Sequence, residues 1–278
     1  MNYQHIFHSG NFADICKHFS LSLLLSFMQK KPQGFCYLDT HAGFGCYDLK
    51  SPFAQRSQEY KNGIGRLWSN GRVPELFAEY CAPVMALNPE SSLRWYAGSP
   101  EWVHYHLRDQ DRMILIDSES EAIQSLKTRF VSDQRVIVQQ GDGYHGIKSF
   151  IAQLQKRSLI LIDPPYEQVN EHVKIIDSLR YLSRHCRQAV VAIWYPLKQH
   201  RETSRFYHKL KELEVPKILA SELCIYPDDN ELGLNGSGFI VLNPPWQFAE
   251  ALTQLLNQLL PYLSDHPKRR CETMWLSE

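Results

Sequence analysis

Asp163, Pro164, Pro165 and Tyr166 follow directly on the apolar run Leu159-Ile160-Leu161-Ile162, and residues of these types in this order could activate an amine. The exocyclic amine of adenine is a weak nucleophile because its lone pair is delocalised into the ring. Two acceptors aimed at its N–H bonds would turn that pair towards a methyl donor. The Asp163 carboxylate and the backbone carbonyl of Pro164 could supply them, with proline fixing φ and stiffening the turn. Tyr166 would then stack on a base that has left its helix, a contact worth roughly 1–3 kcal/mol per base. A strand end with a plain proline turn uses the same residues. Asn243-Pro244-Pro245-Trp246 repeats the loose pattern after residues 239–242. If that strand is antiparallel, this second copy lies at the opposite edge of the sheet and has a structural part.

Leu38-Asp39-Thr40-His41-Ala42-Gly43-Phe44-Gly45 forms a small-residue turn after the first apolar run. Its glycines would let the backbone come close to a ligand, as nucleotide-binding turns do. Asp117 is placed to accept from ribose hydroxyls, and Asp142-Gly143 to meet an adenine ring. Each of these also suits a helix cap or a turn.

The elements that must position these residues are legible as a rhythm. Apolar runs at residues 35–38, 113–116, 136–138, 159–162 and 189–193 alternate with amphipathic helical stretches, the mark of βαβ units and a mostly parallel sheet. Four of the five run into an acidic residue: Asp39, Asp117, Asp142 and Asp163. Open parallel sheets bind ligands outside the carboxyl ends of their strands, so the four acids predict one polar site. Residues 217–225 and 239–242, separated by a turn-rich stretch, predict an antiparallel edge hairpin. The expected fold is therefore α/β, with a mostly parallel seven-stranded sheet like that of the Rossmann-like methyltransferases. Fold alone does not give function. Between Cys46 and Tyr96 the strand rhythm stops, and Trp68, Leu76, Phe77, Tyr80, Val84 and Leu87 recur at helical spacing. Residues 1–278 are accordingly expected to form a single domain, with a helical insertion at about 47–95 that Gly63, Gly65, Pro74, Pro83 and Pro89 break into short pieces.

Composition narrows the function classes. The 278 residues are 44% hydrophobic, enough for a full core, and 30 Lys+Arg balance 30 Asp+Glu. That balance excludes a protein holding nucleic acid by overall charge, so a nucleic-acid site must be a local patch. The seven cysteines (Cys16, Cys36, Cys46, Cys81, Cys186, Cys224, Cys271) are scattered without a C-x-x-C pair, as reduced cytosolic thiols are. His5, His8, His18 and His41 cluster early in the chain, but no metal-ligand spacing supports a metal site. No apolar run approaches the roughly 20 residues needed to cross a bilayer, and residues 1–17 lack the apolar stretch of a secretory signal. A cytoplasmic protein is expected. Lys268-Arg269-Arg270 could touch phosphate, but is expected only to lie solvated at the surface.

Several longer blocks carry a resemblance. They are Tyr3 to Asp14 continuing through Lys17-His18, Tyr37 to Gly43, Tyr96-Ala97-Gly98-Ser99-Pro100, Leu159 to Tyr166, Trp194-Tyr195-Pro196, and Ser237-Gly238 through Trp246. In these the chain resembles, nearly end to end, the bacterial 23S ribosomal RNA adenine-N6 methyltransferases of the RlmJ type. The resemblance implies S-adenosylmethionine as cofactor, bound by His18, His41, Ser99, Asp117, Asp142, Gly143 and Asp163, with Asp163 the catalytic acceptor. It implies that Tyr3, His5 and Lys17 meet the RNA: an aromatic ring can position an extruded nucleotide, and a lysine can hold a phosphate. Anchoring of the chain's start to the core is the alternative for Tyr3 and Phe7. The expected partner is 23S ribosomal RNA, with no membrane, no obligate protein partner and a monomeric state. Asp117 stands where relatives carry glutamate. Phe44 replaces the third residue of an Ala-Gly-Ala-Gly turn and is expected to pack under the loop. Two other functions are weighed: a DNA adenine-N6 methyltransferase, which would usually need a larger target-recognition region, and a non-catalytic nucleic-acid-binding protein on a methyltransferase scaffold, against which the intact Asp163 to Tyr166 turn argues.

Overall fold

The computed structural model describes residues 4–90, 92–155, 157–168, 170–198, 200–213, 215–227 and 233–278. Among them are ten strands: β1 (Cys36–Asp39), β2 (Cys46–Asp48), β3 (Trp95–Ala97), β4 (Arg112–Asp117), β5 (Val136–Gln140), β6 (Ser158–Ile162), β7 (Val190–Leu197), β8 (Ile218–Cys224), β9 (Gly236–Leu242) and β10 (Arg270–Ser277). Eight of them form one sheet in the order β10-β8-β9-β7-β6-β1-β4-β5. The five strands from β7 to β5 are parallel, whereas β9 runs antiparallel to both β7 and β8.

Alternation along the strands builds two cores. Tyr37, Met113, Leu115, Leu159 and Leu161 face one layer, packed with residues of the helices Phe12–Gln29 and Phe248–Leu263. Leu38, Ile114, Ile116, Ile160 and Ile162 face the other, against the helices Glu171–His185 and His200–Lys211. Each fully buried aliphatic side chain contributes about 1.5–3 kcal/mol, so continuous apolar runs covered on both faces are what fix these central strands.

Three features differ from the sequence expectation. The sheet has eight strands rather than seven, because residues 270–277 pair antiparallel with β8. β8 and β9 are therefore not an edge hairpin: β9 inserts between β7 and β8, and β10 covers the outer side. β7 continues through Trp194 to Leu197, since β9 pairs with it over that whole length.

Between β1 and β4, β2 pairs antiparallel with β3 and brings the two ends of the intervening segment together. That segment carries the short helices Pro52–Ser57 and Ile64–Leu67 and the longer Ala78–Leu87, which accommodates Pro83 within it. No helix among the described residues is long and apolar enough to cross a membrane.

Candidate active site

Parallel pairing places Asp39 opposite Leu161, two residues before Asp163, and Asp117 opposite Gln140, two residues before Asp142. All four acids thus lie along the carboxyl edge of the sheet. Asn243 is at the other edge. It follows Leu242, which pairs with Val191 near the start of β7, and its side-chain amide donates to the carbonyls of Arg187 and Ala189 at 2.7 and 3.0 Å. The second proline turn is therefore remote from the acids, and Trp246 within it is 84% exposed.

At the carboxyl edge Asp163 receives the Lys17 ammonium, with Nζ 2.6 Å from its Oδ2. Lys17 also meets Asp14 Oδ1 at 2.9 Å, one turn earlier on the helix Phe12–Gln29. Asp14 Oδ2 accepts from the Gly10 amide at 2.9 Å and lies 3.0 Å from His5 Nε2. The helix begins where it does because Asn11 caps it, its side-chain oxygen accepting from the Asp14 amide at 3.0 Å. Burial opposes charge on both Lys17 and Asp14. The surrounding groups outweigh it: Asp14 and Asp163 raise the Lys17 pKa, and His5 and Lys17 hold the Asp14 carboxyl well below the usual carboxylate range.

This changes the expected part of Lys17. Its side chain is 5% exposed and bridges two carboxylates, so it does not offer its charge to a phosphate at the surface. His5 is half-buried and leads into the same chain of ionic contacts. Tyr3 lies outside the described residues.

Asp39 is fully buried. Its Oδ2 accepts from the hydroxyls of Ser99 at 2.7 Å and Tyr37 at 2.8 Å, and its Oδ1 from the His41 amide at 3.3 Å. Burial pushes its pKa up to about 6, the Asp163 charge adds to this, and the two hydroxyls oppose it. His18 is buried in the helix Phe12–Gln29, stacked on Trp102 with ring centroids 4.7 Å apart. Its Nδ1 lies 2.7 Å from the Tyr96 hydroxyl, while Nε2 is buried without a hydrogen-bond partner. Burial and the Lys17 charge hold the ring well below the ordinary histidine value, so it is neutral. His41 is likewise lowered by burial and packs edge-on to Tyr144, 5.2 Å between centroids.

The turn after β1 is braced by Asp117, whose Oδ2 accepts from the Gly43 amide at 2.8 Å. Gly43 and Gly45 have φ of +62° and +78°, which side chains rarely adopt. Phe44 packs against the core, edge-on to Tyr47 at 6.4 Å. Asp142 caps the helix Gly143–Ser149, accepting from the His145 amide at 2.7 Å. A Cβ on Gly143 would stand 1.9 Å from the Thr40 carbonyl, so only glycine lets this helix approach the β1 turn so closely.

Tyr166 has φ of +53°, a strained conformation for a bulky residue. Its hydroxyl donates to the Trp194 carbonyl at 2.6 Å, and its ring lies edge-on to Trp194 at 5.8 Å. The turn therefore projects the Asp163 carboxylate from a fixed frame. Asp163 Oδ2 is occupied by Lys17, and among the described residues no hydrogen bond reaches its Oδ1 or the Pro164 carbonyl.

Asp14 lies outside the site read from the sequence, and Asp39 is in it only as one of the four strand-end acids, with no role of its own. Asp39 was marked by its place at a strand end. Asp14 was marked by an opposite charge three residues on, at Lys17, within an otherwise apolar helix.

A sheet of this order, with acids at four strand ends, is the Rossmann-like arrangement that binds ligands outside the carboxyl ends of its parallel strands. The small-residue turn at Gly43, the close approach at Gly143 and the unpartnered His18 Nε2 fit a nucleoside-bearing cofactor. Residues 32–277 match the family model RsmJ, described as ribosomal RNA large subunit methyltransferase D, RlmJ. The ribosomal RNA large subunit methyltransferase J of Haemophilus influenzae is 37% identical over 265 residues, covering 95% of this chain and 93% of its own. That of Escherichia coli is 36% identical over 263 residues, covering 95% and 92%. A crystal structure of a Legionella pneumophila protein superposes with a TM-score of 0.86 at 32% identity, covering 96% of this chain and 97% of its own. The chain belongs to the RlmJ family of methyltransferases.

Proposed function

We propose that this methyltransferase transfers a methyl group from S-adenosylmethionine to the exocyclic N6 of an adenine in 23S ribosomal RNA. The observation that carries the reading is the Asp163 carboxylate, held on one oxygen by Lys17 at 2.6 Å and followed by a proline carbonyl on a rigid turn. S-adenosylmethionine supplies an electrophilic methyl group on sulfonium. The protein's part is to present the amine in line with it: Asp163 Oδ1 and the Pro164 carbonyl accept the two N–H bonds, which localises the lone pair on nitrogen. Asp163 is the acceptor for the proton lost from nitrogen. Lys17 acts through Asp163, fixing its direction, and His5 acts through Asp14 one step further back. Tyr166 braces the turn beside the base, and Tyr3 contacts the RNA.

His18, His41, Ser99, Asp117, Asp142 and Gly143, with Asp163, form the cofactor side. Ser99 orients Asp39, Asp117 holds the turn at Gly43, and Gly143 allows its helix to close on Thr40. In this reading residues 1–278 act as a single domain, with the segment at about 47–95 as a helical insertion. The protein works, on the same reading, as a monomer in the cytoplasm, where seven scattered cysteines without a disulfide among the described residues would stay reduced.

Incubation of purified protein and labelled S-adenosylmethionine with protein-free 23S ribosomal RNA, followed by nuclease digestion and mass spectrometry, tests the reading. N6-methyladenosine in the RNA, with no methylation of duplex DNA, is expected. Methylated DNA and unmodified RNA would replace it with the DNA reading.

A further inference from the structure

We propose that Lys50, Phe53 and Arg56, on the rim of the segment between β2 and β3, form the surface that grips the RNA strand next to the target nucleotide. Phe53 would lie under a base, and the two cations on phosphates. This rests on the RNA function proposed above and adds a binding surface to it.

Charge is the first argument. The chain is neutral overall, so RNA must be held by a local excess of cations. Lys50, Arg56 and Lys61 are exposed. The acids in this stretch are already engaged. Asp48 accepts from Arg94 at 3.1 Å and from the Lys50 amide at 2.9 Å, and Glu59 accepts from Asn11 at 2.9 Å and meets His8 Nδ1 at 2.9 and 3.0 Å. Among the described residues the Lys50 and Arg56 side chains meet no carboxylate.

Shape is the second. Phe53 is 51% exposed, and on the helix Pro52–Ser57 it lies three residues before Arg56, so the two share a face. A half-exposed aromatic ring beside a guanidinium is a sequence-tolerant platform for an unstacked base.

Position is the third. Phe53 packs edge-on to Phe7, with ring centroids 5.5 Å apart, and Ser57 Oγ donates to the Phe7 carbonyl. The Ile64 amide donates to the Gly10 carbonyl at 2.8 Å, and a Cβ on Gly63 would stand 2.1 Å from that same oxygen. The rim is thus fastened to the segment that carries His5, and from His5 the contacts run through Asp14 and Lys17 to Asp163. A strand lying across Phe53 would enter the site beside the acceptor.

The test uses the full chain with protein-free 23S ribosomal RNA, comparing wild type, Lys50→Ala/Arg56→Ala and Phe53→Ala. For the double variant we expect the KM for RNA to rise about tenfold. The dependence of log affinity on log salt should become shallower by about 1.4–1.8, as for two lost phosphate contacts. The kcat at saturating RNA, the Kd for S-adenosylmethionine and the melting temperature should stay within twofold or a degree of wild type, because neither side chain has a hydrogen bond or ion pair among the described residues. Phe53→Ala should raise the KM without altering the salt slope. An unchanged KM and salt slope in the double variant would overturn the proposal, even where Phe53→Ala loosens the Phe7 contact. Methylation of RNA by wild type keeps the two claims apart: if wild type leaves RNA unmodified, the function reading fails, and if it methylates RNA and the double variant matches it, only this surface fails.

Discussion

Lys17 Nζ and Asp163 Oδ2 lie 2.6 Å apart, although 146 residues separate them in sequence. The pair joins the first helix to the turn after β6 and draws in Asp14 as a second carboxylate, so one buried cation orients two anions. Removing it takes from Asp163 its ionic partner and leaves Asp14 with the Gly10 amide and His5. Lys17→Met is expected to destabilise the fold by about 3–5 kcal/mol, as when one partner of a buried pair is lost. Methyl transfer should fall on the order of 100-fold or more, since the acceptor loses its fixed direction. Thermal denaturation and single-turnover methylation measure the two effects, and wild-type turnover would exclude the positioning role.

Asp39 sets a pH dependence of stability. Its pKa stands at about 6 in the folded chain, against about 3.9 for an unfolded aspartate. Between those values the folded state binds more protons, so this group's contribution to stability is lost as pH rises from about 4 to 6. Asp14 has the opposite sign, because its depressed pKa gives stability that is lost as pH falls. Asp39→Asn removes only the first effect. Relative to wild type, the variant should gain up to about 3 kcal/mol between pH 4 and pH 7. Urea unfolding at both pH values checks this, and an equal difference at the two would contradict it.

Gly143 and Gly141 make a matched pair. A Cβ at Gly143 would meet the Thr40 carbonyl at 1.9 Å, whereas at Gly141 nothing lies within 4 Å. Gly143→Ala should cost about 1–3 kcal/mol through overpacking and weaken S-adenosylmethionine binding, while Gly141→Ala stays within about 0.5 kcal/mol. Calorimetric cofactor titration with a melting curve for each variant decides the matter. Equal behaviour of the two would remove Gly143 from the site.

Asn243 and Trp246 should matter for stability alone, or hardly at all. Asn243 has φ of +51° and two side-chain hydrogen bonds, so Asn243→Ala is expected to cost about 1–3 kcal/mol. Trp246→Ala, at an 84% exposed position, should change stability by less than about 0.5 kcal/mol. Both should bind S-adenosylmethionine as wild type does. A large loss of cofactor affinity in either folded variant would mean that the wrong proline turn was assigned to catalysis.

The carboxyl edge of the sheet was legible in the sequence because an acid closes each of four apolar runs, and the direction of β9 because a turn-rich stretch joins it to residues 217–225 as an antiparallel hairpin. The part of Lys17 was not legible. Asp14, Lys17 and His18 share one face of the helix Phe12–Gln29, and polar residues at that spacing ordinarily mark a solvated face. Here the face turns towards the sheet edge, and the charges are buried by pairing with Asp163, a contact that no local pattern encodes. β10 was hidden for a different reason. As an edge strand it is only partly buried, and the basic residues before it read as a polar end, although Arg270 lies 2.9 Å from Glu222 on the neighbouring strand.

The central claim is that Asp163 and the turn it begins direct a nucleic-acid adenine amine towards the methyl donor. Asp163→Ala keeps both prolines of the turn and leaves Lys17 paired with Asp14, so it should cost less stability than Lys17→Met, and S-adenosylmethionine affinity should change far less than turnover. The most direct measurement is mass spectrometry of 23S ribosomal RNA after single-turnover reaction with saturating cofactor, wild type against Asp163→Ala. The account predicts N6-methyladenosine with wild type and none above background with the variant. N6-methyladenosine formed by Asp163→Ala at the wild-type rate would contradict it.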